Sequence, residues 1–406
     1  MDFVSSVLGI LLSTLYEVIF RENFLYSRLK PRKHKIYWFI LILFRRNFKN
    51  YIKDLGLKPW KYPSIDDLKK ARLTTKEDIK KYFPAKSTSL FLNFFSFKMS
   101  SSGSTGKPFE FNIFILQWIE EQARVYASFR LAGYQIGKKM VVFRSYSPKG
   151  DQKNIKEVKW KNWTYFNSFS LSEESLMEYY DYLIINEIKY LRTYPSTLAT
   201  FLEFLKSKKL ILKLRMIHVS SENISNKLII DSEEYFECKL INYYGQVEQA
   251  VLGVNIFDNC TISILPYSNW YKLNDNTIAS LNLINWANPL VNYQVQDHLL
   301  MIKDNQFNLI GRNNIYLNHH QGYLVSTINF YTLMQNFTTL IKWQIVQKSN
   351  LSIEMNFEGN ISSEEKEQIR NGIEERLGNV LVKFNNNQFV FNGEGKINPI
   401  INNNDN

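Results

Sequence analysis

The residues best suited to chemistry lie in one polar loop, Ser100-Ser101-Ser102-Gly103-Ser104-Thr105-Gly106-Lys107-Pro108. Its glycines permit the torsion angles that turn successive N–H groups toward one point, and they leave room for a ligand. Such a concavity binds anions, and Lys107 adds a positive charge. The loop therefore predicts a phosphate-binding site. The alternative is an ordinary polar hairpin, because Pro108 stands where a P-loop has its magnesium-binding hydroxyl.

The spacing of apolar residues predicts the helices and strands that must position this loop. Phe91–Met99 and Phe109–Leu116 are predicted to be the strands on either side of it. Helices and short buried strands then alternate, which predicts α/β layers. The predicted helices span 117–132, 173–186 and 196–207, and the predicted strands span 140–143, 216–219 and 239–242.

The pattern changes after about residue 311 and predicts a second, smaller α+β unit. It comprises a hairpin of 341–347 and 351–357, a helix that begins with the capping box Ser362/Glu365, and strands at 380–384 and 388–391. The fold class expected is therefore α/β plus α+β. The expected organisation is an amphipathic helical region (1–70) packed on a large domain (71–311), a small C-terminal domain (312–400) and a disordered tail (401–406).

Composition narrows the class of partner. The 406 residues carry a formal net charge of +12, which favours anionic ligands or an anionic membrane surface. The sequence has no zinc-finger spacing and no RNA-binding aromatic motif, so nucleic acid is not an expected partner. It has only two cysteines, Cys238 and Cys260, and thus no disulfide framework, which fits a reducing cytoplasm.

Two apolar runs near the N-terminus, Phe3–Phe20 and Ile36–Phe44, are too short or too polar for a clean membrane span. They predict amphipathic helices that pack on the body of the protein. The alternative is peripheral attachment to the inner face of the membrane through the basic residues that flank the second run.

Four further motifs follow the loop in the chain. They are Tyr244-Gly245-Gln246-Val247-Glu248 after a buried strand, Asp297 at a strand end, Gly311-Arg312 at the apparent domain boundary, and Gly393-Glu394-Gly395-Lys396 near the end. An aromatic, a glycine and an acid suit a nucleotide and its Mg²⁺, a strand-end carboxylate suits ribose hydroxyls, and basic residues suit phosphate. Taken singly, each motif is better explained as an ordinary turn or surface residue.

Their order is more informative. The series resembles the adenylate-forming enzymes, in particular the phenylacetate–coenzyme A ligase-like branch that includes capsular-polysaccharide biosynthesis proteins. The resemblance covers roughly residues 70 to 400. Matching pieces besides those above are Leu73-Thr74-Thr75-Lys76-Glu77-Asp78-Ile79, Tyr194-Pro195-Ser196 and Val219-Ser220-Ser221-Glu222.

The resemblance implies a role for each matching residue. The mobile loop over the β- and γ-phosphates of ATP would comprise Ser101, Gly103, Ser104, Thr105, Gly106 and Lys107. Ser221 and Glu222 would line the adenine and acyl pocket, Tyr244 and Gly245 would flank the adenine and the carboxylate, Glu248 would ligate Mg²⁺, Asp297 would bind the ribose, and Arg312 would assist near it. Lys396, on a small domain that rotates after adenylation, would bridge the substrate carboxylate and the α-phosphate.

The implied activity is ATP-dependent formation of an acyl-adenylate and pyrophosphate. The acyl group would then pass to coenzyme A or to an amine, such as that of an amino sugar of a surface polysaccharide. Bringing two anions together requires cations and N–H dipoles where charge accumulates, and no protein nucleophile. The histidines are therefore interpreted as structural or surface residues; they include His218, His298, His319 and His320.

The sequence departs from the family's pattern at several positions. Val247 replaces a hydroxyl residue, Asn292 a common arginine and Gln296 a common glycine, while Asn313 and Asn314 replace a frequent acidic pair. The alternative function is therefore a catalytically silent nucleotide-binding or membrane-surface scaffold of the same fold. Because the loop lysine, Glu248, Asp297 and Lys396 are all present, we favour an active enzyme with a divergent substrate.

Overall fold

The computed structural model describes most of the chain beyond residue 31. The described residues are 7, 11, 32–84, 90–101, 109–144, 146, 154–222, 224–255, 261–274, 277–303, 305–311, 316–326, 328–334, 336–337, 339–349, 351–390 and 400–403. Among them, no helix is long and apolar enough to cross a membrane.

The helices of this described part follow the amphipathic segments of the sequence. They are α1 (Arg32–Phe44), α2 (Arg46–Asp54), α3 (Ile65–Lys70), α4 (Lys76–Tyr82), α5 (Leu90–Phe94), α6 (Ile115–Leu131), α7 (Glu173–Ile185), α8 (Pro195–Ser207), α9 (Asn226–Phe236), α10 (Ile328–Met334) and α11 (Ser363–Leu377).

The strands alternate with these helices up to residue 245 and then follow one another directly. They are β1 (Ser96–Ser101), β2 (Phe109–Phe114), β3 (Met140–Arg144), β4 (Ile155–Val158), β5 (Trp163–Asn167), β6 (Tyr190–Thr193), β7 (Met216–Ser220), β8 (Lys239–Gly245), β9 (Leu252–Val254), β10 (Ile262–Ile264), β11 (Asn269–Lys272), β12 (Ile278–Asn282), β13 (Leu290–Val295), β14 (His298–Lys303), β15 (Gln306–Gly311), β16 (Tyr316–Asn318), β17 (Leu324–Ser326), β18 (Leu340–Ser349), β19 (Ser352–Gly359), β20 (Leu381–Asn386) and β21 (Ile400–Asn402).

A ten-stranded sheet organises the larger part of the described chain. Its strand order is β14-β15-β10-β9-β8-β7-β6-β3-β5-β4. The strands from β8 to β5 in that order are parallel to their neighbours, and those outside them are antiparallel. The parallel section is the product of the predicted helix–strand alternation, since parallel strands need crossover connections. The α/β expectation for the large domain is confirmed.

The parallel strands are covered on both faces, which explains why they read as apolar runs in the sequence. One face packs against α7, α8 and α9 through residues such as Phe143, Ile217 and Leu240. The other packs against α6 through residues such as Met216, Ile241 and Phe129. The site described below lies where the parallel strands β6, β7 and β8 end.

The smaller part of the chain is an α+β unit, as expected. Its sheet has the order β20-β19-β18-β21, with β18 and β19 forming the predicted hairpin. The Ser362/Glu365 capping box begins α11, whose Ile369, Ile373 and Leu377 are buried against the sheet. The buried Arg376 on α11 reaches the large part of the protein, with its guanidinium carbon 3.9 Å from the centroid of the Phe169 ring.

Two strand predictions were wrong in part. Phe91–Met99 does not form one strand, because its first residues form α5 and β1 begins at Ser96. Three phenylalanines, Phe91, Phe94 and Phe95, have helical spacing there, and their rings contact one another at centroid distances of 4.9 and 5.0 Å.

The predicted strand 388–391 is absent from its described residues, 388–390. The side-chain amide of Gln344 forms hydrogen bonds to both the N–H and the C=O of Val390, each at 2.8 Å. These bonds satisfy backbone groups that a ladder of strand pairing would otherwise use.

The N-terminal helices belong to the same core as the sheet β11–β13. Trp38, Phe48 and Tyr51 are fully buried and lie in one cluster with Leu281 and Val291. The second apolar run thus packs on the body of the protein through one face of α1, whereas Phe3–Phe20 lies outside the described residues apart from residues 7 and 11.

Asn292 connects these helices to the sheet. Its side-chain N–H₂ donates to the carbonyls of Leu68, Ala71 and Arg72 at 3.0, 3.2 and 3.1 Å, and its Oδ1 accepts from Tyr271 Oη at 2.8 Å. The residue is fully buried and has φ = 53°, a left-handed conformation that asparagine tolerates better than most residues. The departure from the family's arginine therefore has a structural role.

Replacing Asn292 with alanine should destabilise the protein by about 2–4 kcal/mol, because buried carbonyls lose their donor and alanine adopts positive φ poorly. Urea denaturation followed by circular dichroism measures this. Asn162→Ala is the matched control, since Asn162 has the same φ of 53° but is exposed and its side chain donates only to Gly137 O. Equal losses in the two variants would contradict the assignment.

Candidate active site

The predicted site residues of the large domain gather where the parallel strands end. Thr193 of β6 pairs with Val219 of β7, and Ser220 of β7 pairs with Tyr243 of β8. The loops that leave these strands therefore begin side by side. They are Tyr194-Pro195-Ser196, Ser221-Glu222 and Gln246–Ala250. Carboxyl ends of parallel strands are the usual place for ligands in open α/β sheets.

The structure brings Tyr244 and Asp297 together, although 53 positions separate them in the sequence. Tyr244 Oη donates to Asp297 Oδ2 at 2.9 Å and accepts from the side chain of Gln246. The Tyr244 ring packs edge-on against Phe307 at a centroid distance of 5.2 Å. The carboxylate predicted to bind ribose is thus held beside the aromatic residue predicted to flank the adenine.

Glu248 lies in the turn after β8 and is buried in a charged environment. Lys76 Nζ is 2.8 Å from Glu248 Oε1, and Tyr293 Oη donates to the same oxygen at 3.3 Å. Both side chains of the ion pair are almost inaccessible, at 13% for Lys76 and 6% for Glu248. Burial removes the screening by water that weakens surface pairs, so this pair couples α4 to the site.

Local sequence explains how Lys76 reaches Glu248. Thr75 caps α4 in a capping box with Asp78, so the helix begins at Lys76. Thr74 forms a parallel bridge to β13, with its N–H donating to Asn292 O at 3.0 Å and its C=O accepting from Gln294 N–H at 3.0 Å. The bridge places the start of α4 beside Tyr293 and Glu248.

The donor chemistry at Glu248 fits Mg²⁺ in the manner usual for nucleotide enzymes. Mg²⁺ is commonly held by one or two carboxylates and completes its coordination with substrate phosphates and water. Within the described ranges, Oε1 of Glu248 is engaged and no residue is bonded to Oε2. These residues contain no group of three or more acidic, histidine or cysteine side chains that could hold a metal by themselves.

Ser221 and Glu222 form the turn after β7. Ser221 is exposed and has φ = 76°, whereas Glu222 is buried. Glu222 Oε2 accepts a hydrogen bond of 2.9 Å from the N–H of Ser196, in the first turn of α8. A carboxylate at a helix N-terminus satisfies a free N–H and complements the helix dipole, so Glu222 holds its loop against the Tyr194-Pro195-Ser196 loop.

Several predicted site residues lie outside the described residues: Gly103, Ser104, Thr105, Gly106, Lys107, Arg312 and Lys396. The described backbone does define where the polar loop begins and ends. Ser101 is the last residue of β1 and pairs with Phe109, the first residue of β2, in an antiparallel ladder. The loop therefore connects the two strands of a hairpin, and β2 leads directly into α6.

Sequence reasoning missed three side chains that the fold brings to Glu248 and its neighbour Gln249. Gln117 Nε2 donates to the Glu248 carbonyl at 3.4 Å, and the side chain of Gln249 donates to Glu121 Oε2. Lys76 was visible only as part of the Leu73–Ile79 motif, not as a site residue. The contacts span long sequence separations, so no local pattern indicates them.

Comparison with known proteins defines the fold. No protein-family model matches the sequence, and no curated protein does. Solved structures do match. One is 2-hydroxyisobutyryl-CoA ligase in complex with 2-HIB-AMP and CoA in the thioesterification state, with a TM-score of 0.55 and 13% identity over 93% of this chain and 91% of that chain. The chain has the fold of an adenylate-forming ligase.

The same ligase in its postadenylation state with R3-HIB-AMP gives a TM-score of 0.51 and 13% identity over 91% of this chain and 88% of that chain. Both alignments cover more than nine-tenths of this chain and about nine-tenths of the matched chain. The adenylate-forming ligase fold therefore extends over nearly all of this chain, including the small C-terminal unit. Tyr244 lies on β8 of the ten-stranded sheet, and Asp297 lies between β13 of the three-stranded sheet and β14 of the ten-stranded sheet.

Replacing Lys76 with glutamine should lower the free energy of unfolding by about 2–4 kcal/mol, because the buried Glu248 carboxylate loses its cation. Urea denaturation measures the loss. Lys70→Gln removes the same charge from an exposed position on the preceding helix and should change stability by less than about 0.5 kcal/mol. If both variants changed the free energy of unfolding by similar small amounts, the Lys76–Glu248 ion pair would not contribute to stability.

Glu121 should make stability depend on pH. Burial raises the pKa of Glu121 from 4.5 to about 7, against the opposing effects of the Arg192 charge and the Gln249 hydrogen bond. The folded protein therefore holds a proton that the unfolded chain has released, so Glu121 costs stability as pH rises from about 4.5 through about 7.

The variant Glu121→Gln removes this titration. The free energy of unfolding of the variant, measured relative to that of the wild type, should rise by on the order of 1–3 kcal/mol between pH 4.5 and pH 8. Urea denaturation at several pH values measures the difference. Glu174→Gln, at an exposed position on α7, is the control and should show no such trend. A parallel pH dependence in wild type and Glu121→Gln would contradict the prediction.

Proposed function

We propose that this protein is an ATP-dependent ligase that activates a carboxylic acid as its acyl-adenylate. The observation that carries the proposal is the convergence of Tyr244, Glu248 and Asp297 at the end of β8. Two of the motifs whose order resembles this family, the one at Tyr244–Glu248 and the one at Asp297, meet there although 53 positions separate Tyr244 from Asp297. The adenylate-forming ligase fold supports the same conclusion.

In the proposed reaction, a carboxylate oxygen of the substrate attacks the α-phosphorus of ATP. The bond from that phosphorus to the bridging oxygen breaks, and pyrophosphate leaves. Both reactants are anions, so catalysis depends on positive charge and on positioning. Lys107 and the N–H groups of the 101–107 loop would hold the β- and γ-phosphates, and Lys396 would bridge the carboxylate and the α-phosphate.

The remaining roles follow the geometry of the described residues. Asp297, held by Tyr244, would accept the ribose hydroxyls with help from Arg312, and Gly245 allows close approach beside the adenine. Ser221 would line the pocket, with its loop held by Glu222. Glu248 would hold Mg²⁺ through Oε2, where the ion would neutralise phosphate charge.

The acyl acceptor we propose is coenzyme A, with an amine as the alternative. The similar 2-hydroxyisobutyryl-CoA ligase is solved with CoA, which supports the thioester product. The ordered motifs also support a place in the phenylacetate–coenzyme A ligase-like branch. On that basis we propose a cytoplasmic enzyme of surface-polysaccharide biosynthesis, in contact with the membrane where its basic N-terminal helices meet anionic lipid.

Carboxylate-dependent exchange of radioactive pyrophosphate into ATP tests the proposal. Purified protein should catalyse exchange with at least one member of a broad panel of acids, in the presence of Mg²⁺. Lys396→Ala should lower the exchange rate by roughly 10²–10³-fold, the usual cost of losing a group that stabilises developing charge. Lys383→Ala, at an exposed position of the same C-terminal unit, should have little effect.

The outcome separates the enzyme from the silent scaffold. ATP binding without exchange for any acid would favour the scaffold, whereas any acyl-adenylate formed would exclude it. Asn292 no longer supports the scaffold, because its side chain is buried and used by the fold. An exchange rate that Lys396→Ala leaves unchanged would remove the assigned role of Lys396.

A further inference from the structure

One face of the parallel sheet is polar where it approaches the proposed reaction centre. Arg192 on β6 and His218 on β7 are direct neighbours in register, and Tyr243 on β8 follows one pleat further toward the strand ends. Helix α6 covers this face: Ser128 Oγ lies 3.2 Å from His218 Nε2, and the Phe129 ring contacts the His218 ring at a centroid distance of 4.6 Å.

Arg192 is a cation whose guanidinium makes no hydrogen bond and no ion pair with the described residues. The centroid of the Phe129 ring lies 5.7 Å from the guanidinium carbon. The side chain retains partial accessibility although α6 and the sheet surround it. Its five N–H donors are therefore partly accessible, in the space that α6 and the sheet leave around the guanidinium.

Two further polar atoms at this place lack partners. His218 Nδ1 and Tyr243 Oη are buried and have no hydrogen-bond partner among the described residues, with residue exposures of 0% and 5%. Buried polar groups are nearly always paired, so unpaired ones call for an explanation. Burial lowers the pKa of His218 well below its usual value and raises that of Tyr243 well above it, so both side chains are neutral at pH 7.

The charges around this space favour an anion. Arg144, at the end of the neighbouring strand β3, adds a second positive charge near Arg192. The negative charge of Glu121 on α6 offsets these positive charges only in part. The pKa of Glu121 is raised to about 7, so its carboxyl group is partly protonated at neutral pH. Arg124 on the same helix is paired with Glu120 and adds little.

Arg192 and Tyr243 lie on the strands whose ends carry the proposed site of carboxylate activation. Tyr243 immediately precedes Tyr244, and Glu121 is hydrogen-bonded to Gln249, the neighbour of Glu248. Arg192 is two residues before Tyr194, which places it about 7 Å down the sheet at the rise of an extended strand. A short acid with its carboxylate at the strand ends would extend its other end toward Arg192.

We infer that the acid activated by this protein carries a second anionic group, which Arg192 binds, with the Tyr243 hydroxyl as a further hydrogen-bond donor. The inference rests on the proposed function, since it concerns the same site. Arginine binds carboxylate and phosphate alike through paired N–H groups, so the second group is a carboxylate or a phosphonate-like oxyanion. An apolar acid would leave the Arg192 charge and the Tyr243 hydroxyl unpaired.

The test compares acids that differ only at the far end. Pyrophosphate exchange is measured with the pairs butanoate and succinate, and pentanoate and glutarate, and with β-phosphonopropanoate and 4-hydroxybutanoate. The wild type should show kcat/KM at least 10-fold higher for the doubly anionic acids than for the matched monoacids. A higher value for succinate or glutarate than for β-phosphonopropanoate identifies the group as a carboxylate, and the reverse as a phosphonate.

Three variants locate the preference. Arg192→Gln should reduce the diacid-to-monoacid ratio at least 10-fold, and Arg192→Lys, which keeps the charge but loses the paired donors, should give an intermediate ratio. Arg215→Gln removes the same charge from the exposed opposite end of β7 and should preserve the ratio. If Arg192→Gln does not fold, the diacid-to-monoacid ratio of Arg192→Lys tests whether Arg192 sets the preference.

The failures are distinguishable. Preference for butanoate, pentanoate or 4-hydroxybutanoate, or a ratio unchanged in the Arg192 variants, overturns the inference while the proposed function stands. Absence of exchange with every acid overturns the proposed function. Glutarate binding is then read from the thermal midpoint of the whole protein, which the ligand should raise in the wild type and not in Arg192→Gln. No shift overturns the inference as well.

Discussion

The parallel alignment of β6, β7 and β8 is the constraint on which the rest of the site depends. Because the three strands run in the same direction and pair in register, their last residues lie at one edge of the sheet. Every loop that leaves them must begin there. A turn glycine, an acidic residue and a serine pair, which are ordinary in isolation, become one site because hydrogen bonding between strands brings them side by side.

Long-range polar contacts then join the remaining elements to that edge. Asn292 satisfies the carbonyls at the end of α3, Thr74 bridges to β13, and Lys76 reaches Glu248. These three contacts form one continuous connection from the N-terminal helices to the turn after β8. Buried groups of this kind are costly to leave unpaired, so the connection holds the helices in a single arrangement. The N-terminal region is therefore part of the site's support.

The charge and hydrogen bonding of the side chains at the site change along the strands. At the strand ends Glu248 and Asp297 are each held by a neighbouring side chain. One pleat or more below them lie the neutral His218 and Tyr243 and also Arg192, which is unpaired within the part of the chain that the structure describes. The upper level suits a nucleotide with its metal, and the lower level suits the distant end of an acid. His218, interpreted from sequence as a structural or surface residue, is buried, and its Nδ1 has no hydrogen-bond partner among the residues described.

The sequence by itself determined the layered architecture, the capped start of α11 and the identity of the motifs, because hydrophobic periodicity, capping and turn chemistry are local properties. Local signals also misled at two points. The apolar run at Phe91 forms a helical turn because its phenylalanines pack on one another, and the backbone at Val390 bonds to the side chain of Gln344.

Only the tertiary structure decided which motifs meet. The pairing of Tyr244 with Asp297, and of Lys76 with Glu248, joins residues far apart in the chain, and Arg192 became notable only because the fold places no partner beside it among the described residues. A contact between distant residues depends on strand register and on the packing of α6 against the sheet. No spacing in the sequence encodes it, because the side chains of a buried site are positioned by the whole core.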